Sequence, residues 1–170
     1  MPIYIALLRA VNVGGTSKLP MSELKAMCVA AGFTQVQTYI ASGNVMFCTE
    51  LTEPQVQAAL VDRLAAYAGK AVGVIVRTAQ EMAAVLAANP FPDAPANRTV
   101  AIFLDTRPPT DAIEQMRGCK DERVELGMRE IYVMYGTSMG SSKLKIPAAA
   151  NGTARNMNTV AKLVKMARAL

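Results

Sequence analysis

The chain has 170 residues, 52% of them apolar and 18% charged, with a net charge of +5, so it is long enough to bury a core and too apolar for a disordered tail. It contains no histidine. That absence excludes Ser-His-Asp and Cys-His catalysis and imidazole-bound zinc. Three widely spaced cysteines, Cys28, Cys48 and Cys119, form no C-x-x-C pair, read as small buried hydrophobes, and imply neither a disulfide framework nor a metal site.

In chain order, Ile3 to Val11 alternates as a strand, and Pro20 to Ala31 carries Leu24, Met27, Cys28 and Ala31 at helical spacing before the stop at Gly32. Val36 to Ile40 and Val45 to Cys48 flank Ala41-Ser42-Gly43-Asn44, whose Gly and Asn suit the positive φ angles of a tight hairpin. A helix opens at Thr52 or Glu53 with Pro54, carries Val56, Leu60, Leu64 and Tyr67 at helical spacing, and stops at Gly69 before a strand from Ala71 to Arg77. The order βαββαβ predicts a ferredoxin-like half.

Past residue 78 the elements predicted are a helix to Ala88, a Pro-rich turn, a strand Thr99 to Leu104, a helix Thr110 to Arg117, and strands Arg123 to Leu126 and Glu130 to Tyr135. An irregular stretch from Gly136 to Thr153, a candidate lid or nucleic-acid contact, leads into a final helix, with no evident last strand. The fold class expected is α+β: a ferredoxin-like half over residues 1–78, then a related βαββ-plus-helix half over 79–170, a duplication. The two halves could also pair into one continuous sheet.

Charge is uneven along this chain. Residues 1–135 hold 12 Lys and Arg against all 13 acids, whereas 136–170 hold Lys143, Lys145, Arg155, Lys162, Lys165 and Arg168 and no acid. Clustered cations favour a polyanion or an acidic partner, although a solvated helix face explains them equally well. No apolar run is long enough to span a membrane, and the N-terminus lacks a basic segment before its apolar residues. A cytoplasmic protein with no membrane contact and no cofactor is expected.

Four segments, LLRAVNVGG (7–15), TYIASGNVMF (38–47), NPF (89–91) and TARNMNTVAKL (153–163), resemble a bacterial family of uncharacterised proteins, the domain of unknown function 1697 (DUF1697) family. Ala10 and Met157 stand where that family usually carries Gly and Trp. The resemblance implies a duplicated α+β fold and no established activity.

In the ferredoxin-like topology the loop after the first strand, the turn between the second and third, and the loop before the fourth share one end of the sheet. Asn12, Gly14, Gly15, Thr16, Ser17 and Lys18 should therefore neighbour Ser42, Gly43 and Asn44. Backbone N–H groups and side-chain donors there suit an anion, although tight loops require Gly and Asn in any case. GGTSK lacks Walker spacing. Arg9, in register with Ile3, Ile5 and Leu7, needs either an internal carboxylate or a ligand anion.

At the last helix, Thr153 reads as a cap and Arg155 as a solvent-facing phosphate clamp in a stripe with Asn158, Lys162 and Lys165. Asn156 falls toward the apolar side formed by Met157, Val160, Leu163, Val164 and Ala167, where it would tie the helix to a loop. With Lys143, these residues complete the candidate ligand set. The function expected is binding of a phosphorylated or other anionic ligand, a small molecule or nucleic acid. The alternatives are a His-independent enzyme, for which no paired acids speak, and a module that docks an acidic protein. With four Phe and five Tyr, no RNA-stacking sheet is evident.

Overall fold

A computed structural model describes residues 1–13, 18–137 and 139–170. The chain divides into two compact units, Met1–Met82 with Leu163–Leu170, and Ala83–Lys162. Each holds its own four-stranded antiparallel sheet, so the alternative of one continuous sheet is ruled out.

The first unit runs β1 (Ile3–Leu8), α1 (Met21–Ala30), β2 (Thr34–Tyr39), β3 (Asn44–Cys48), α2 (Glu53–Ala68) and β4 (Val74–Thr78). Its strand order β2-β3-β1-β4 is the ferredoxin-like arrangement expected from the sequence. Helix α2 begins where its chemistry directs. The Thr52 side chain and backbone close a capping box with Gln55, Pro54 sits in the first turn, and Gly69 at φ 71° ends the helix. Val56, Leu60 and Leu64 recur every four residues on the buried side, and Leu24 and Cys28 do the same in α1. Both stripes pack on one face of the sheet, against Tyr4, Ala6, Leu8, Val45, Phe47, Val74 and Val76. Phe33 stacks on Phe47 there, with ring centroids 4.3 Å apart. The other face is buried too, and among Ile5, Leu7, Met46 and Ile75 it carries Arg77, in register with Ile5 and 1% exposed.

Helix α3 (Ala79–Ala87) follows β4, and the second unit then runs β5 (Thr99–Phe103), β6 (Arg123–Leu126), β7 (Glu130–Met134) and β8 (Thr153–Asn156) before α4 (Met157–Arg168). The order β6-β7-β5-β8 repeats that of the first sheet, so the halves are duplicates in topology. Two sequence expectations fail here. Residues 110–115 form turns and Arg117 makes an isolated bridge to Lys145, because Ala112, Ile113 and Met116 are too few to make an apolar stripe and only Ala112 is buried. The missing last strand exists: β8 pairs with β5 alone, and such a short edge strand leaves little hydrophobic alternation to read. The core of Val100, Leu104, Ile131 and Val133 is covered by Leu144, Ile146, Ala148 and Ala149, so the irregular stretch packs where a helix would otherwise be needed.

The duplication extends to how each last strand hands over to a helix. In the first unit Arg77-Thr78 leads into α3, with the Thr78 hydroxyl accepting from the Glu81 N–H (3.1 Å) and the Glu81 carboxylate from the Thr78 N–H (2.9 Å). In the second, Arg155-Asn156 leads into α4, with Asn156 Oδ1 accepting from the Thr159 N–H (2.9 Å). Each pair is a buried arginine followed by the helix cap.

Candidate functional site

The three loops of the first unit meet at one end of its sheet, as the topology requires. The Leu8 N–H donates to the Gly43 carbonyl (2.8 Å) and the Arg9 N–H to the Gly73 carbonyl (2.9 Å), so the end of β1 is tied to the hairpin on one side and to the entry of β4 on the other. Asn12 fastens the first loop in three ways. Its Nδ2 donates to the carbonyls of Leu19 and Ala41, both at 2.8 Å, and its Oδ1 accepts from the Leu19 N–H at 2.7 Å. It also sits at φ 55°, a left-handed conformation that Asn tolerates better than most residues.

The Ser42-Gly43-Asn44 turn owes its composition to packing. A Cβ on Gly43, at φ 91°, would lie 2.8 Å from the side chains of both Leu8 and Val11. Asn44 is fully buried, and its Nδ2 donates to the Tyr39 carbonyl (2.9 Å) and to the Ser42 hydroxyl (3.1 Å). Asn12, Gly43 and Asn44 thus form the scaffold of this end. Gly14, Gly15, Thr16 and Ser17 lie outside the described residues.

What the scaffold presents is positive charge. Arg9 is exposed, with its aliphatic stem lying across Gly73, and Lys18 and Lys70 are exposed in the first and third loops. Residues 9–20, 40–43 and 69–73 carry these three cations and no Asp or Glu. Lys70 was missed at the sequence level, although its place just after the helix stop Gly69 and before β4 assigns it to the same end.

The C-terminal candidates Lys143, Arg155, Asn156 and Asn158 belong to the second unit, where Arg155 and Thr153 change role. Arg155 is no solvent-facing clamp: it lies in β8 opposite Ala101, is 7% exposed, and donates through Nη1 to the Thr153 hydroxyl (2.7 Å) and the Ala154 carbonyl (2.9 Å). Burial pulls its guanidinium down to about 10. Thr153 is likewise a buried strand residue rather than the helix cap, and that cap is Asn156. The reason is period: burial along 153–156 alternates every second residue, placing Arg155 inside. Asn158, Lys162, Lys165 and Arg168 are exposed on α4, opposite the buried Met157, Val160, Leu163, Val164 and Ala167. Lys143 is exposed on a polar cleft of the second unit. Cys28 and Cys48 are buried as expected, burial pushing the Cys28 thiol up to about 12, but Cys119 is exposed in a loop. Among the described residues no helix is long and apolar enough to cross a membrane.

Residues 1–132 match the family profile described as "Protein of unknown function (DUF1697)". The chain belongs to the DUF1697 family. The matched region contains the whole of the first unit's sheet and ends within β7, before the TARN segment. No curated protein matches the chain. Among solved structures, the chain is similar to the conserved bacterial protein SP0830 from Streptococcus pneumoniae, with a TM-score of 0.81, 25% identity and 98% of each chain covered. Of the two DUF1697 departures, Ala10 has the clearer physical meaning, since it holds φ 56° where the family's usual Gly would be unstrained.

Proposed function

We propose that this protein binds an anionic, phosphate-bearing ligand at the loop end of its first sheet. The observation that carries the reading is the convergence of three loops bearing Arg9, Lys18 and Lys70 with no acid among them, on a scaffold fixed by Asn12 and Asn44. The described ends of these loops are already tied to one another, so binding need not order them. The cations would supply charge-assisted hydrogen bonds, and exposed Ser42 a hydroxyl.

Thermal unfolding of the full chain against phosphate, nucleotides and short oligonucleotides tests this. A ligand at 100 times its dissociation constant adds about 2.7 kcal/mol of stability, or roughly 5–10 °C at 2–4 °C per kcal/mol. The shift should shrink in Arg9→Ala and Lys18→Ala and with added salt. No shift with any of these anions would refute the proposal.

A second reading rests on α4, whose exposed side carries Lys162, Lys165 and Arg168 and no acid. That stripe suits an acidic protein surface, and salt-sensitive association that survives Arg9→Ala but not Lys165→Glu would favour it.

A further inference from the structure

A polar cleft of about 510 Å³ lies within the second unit, far in sequence from the loops discussed above. One wall is the run 120–122 just before β6, and the other is formed by Thr137, Ser141, Ser142 and Lys143 after β7. The walls are held together at several points. Arg117 and Lys145 exchange backbone hydrogen bonds (2.9 and 2.8 Å), and the Gly118 Cα, at φ 71°, abuts the Lys143 carbonyl with no room for a Cβ. The Ser142 hydroxyl donates to Glu122 Oε2 (2.9 Å), the Lys120 N–H to Glu122 Oε1 (2.8 Å), and the Thr137 hydroxyl to Asp121 Oδ2 (3.2 Å). Thr137, Ser142, Lys143 and Lys145 are thus tethered to the 117–122 run.

These tethers divide the charges in a particular way. Both oxygens of Glu122 are occupied by neutral donors, which with the nearby Lys120 charge hold its carboxyl below the usual range. One oxygen of Asp121 is occupied, and Oδ1 accepts no hydrogen bond among the described residues. The ammonium groups of Lys120 and Lys143 and the hydroxyl of Ser141 make no hydrogen bond or ion pair among the described residues. The cleft thus offers two cationic donors and a hydroxyl on a rigid frame, one open carboxylate oxygen beside them, and formal charges that cancel. Overall neutrality removes the attraction for a dianion, and the separated signs favour a ligand that carries both.

We propose that this cleft is a binding site for a small zwitterion of the free amino acid type, its carboxylate held by Lys120, Lys143 and Ser141 and its ammonium by Asp121 Oδ1. The cleft shares no residue with the loops proposed above to bind an anion. Calorimetric titration of the full chain with each of the twenty amino acids, with acetate, ethylamine and inorganic phosphate as controls, tests it. At least one amino acid should saturate with a dissociation constant of about 1 mM or below. Lys120→Ala and Lys143→Ala should each weaken it about tenfold, equivalent to about 1.4 kcal/mol. Asp121→Asn should weaken the amino acid while leaving acetate unchanged or stronger, and Arg9→Ala should change neither. Both lysines are exposed, so their variants should melt as the wild type does. Failure of every amino acid to saturate, tighter binding of phosphate than of any amino acid, or undiminished binding in folded Lys120→Ala and Lys143→Ala would each overturn the proposal.

Discussion

Replacing Arg155 with Ala separates a structural arginine from a ligand clamp. In β8 the guanidinium donates to the Thr153 hydroxyl and the Ala154 carbonyl, and hydrogen bonds from a charged group are worth about 1.5–3 kcal/mol each. The aliphatic stem adds about 0.8 kcal/mol for each buried methylene. Against these stands the cost of burying the charge. Pulling its pKa from the ordinary arginine value down to about 10 corresponds to about 3 kcal/mol at 1.36 kcal/mol per pH unit, a cost the alanine variant no longer carries. The balance leaves a destabilisation of about 2–4 kcal/mol, in the range of large-to-small substitutions at buried sites. For a chain of this size the Tm should fall by about 5–15 °C. The assay is chemical and thermal unfolding followed by circular dichroism, with anion binding measured on the folded fraction. A Tm within about 2 °C of wild type together with lost anion affinity would refute the burial argument and return Arg155 to a solvent-facing role.

Three other perturbations have definite outcomes. Asn12→Gly keeps the left-handed backbone but removes three hydrogen bonds, and at about 1 kcal/mol each it should cost 2–3 kcal/mol, with Asn12→Ala worse by about a further 1 kcal/mol because Ala resists that φ; equal stability of the two variants would contradict this. Ala10→Gly should stabilise by about 0.5–1 kcal/mol, since relief of a left-handed alanine outweighs the added freedom of the unfolded chain, and denaturant midpoints decide it. Glu122 has a folded pKa below its ordinary value of 4.5, so its stabilising contribution is present above that value and is lost as pH falls through the lowered one. Wild type should therefore lose stability relative to Glu122→Gln as pH falls from 6 to 3, and parallel pH profiles would count against the tether to Ser142.

The first unit was legible because its signals are local and agree with one another. Thr52, Pro54 and Gly69 bracket α2, the Val56, Leu60 and Leu64 stripe fixes its buried side, and Gly43 with Asn44 marks the hairpin. From that order alone the convergence of the three loops follows, and with it Arg9, Asn12 and Asn44 at one end. The second unit hid its plan because its coverings are irregular. Leu144, Ile146, Ala148 and Ala149 pack on the sheet without helical spacing, and Thr-Ala-Arg-Asn imitates the start of a helix. A charged residue within a short strand is read as surface by any composition argument, so the buried Arg77 and Arg155 became evident only from register and burial.

The most direct measurement is a two-dimensional amide NMR titration of the full chain with inorganic pyrophosphate at low salt. The account predicts saturable shifts clustered at the amides of Arg9, Lys18, Ser42, Gly43 and Lys70, fading as salt is added. An unmoved spectrum, or shifts confined to α4 and the second unit, would contradict it.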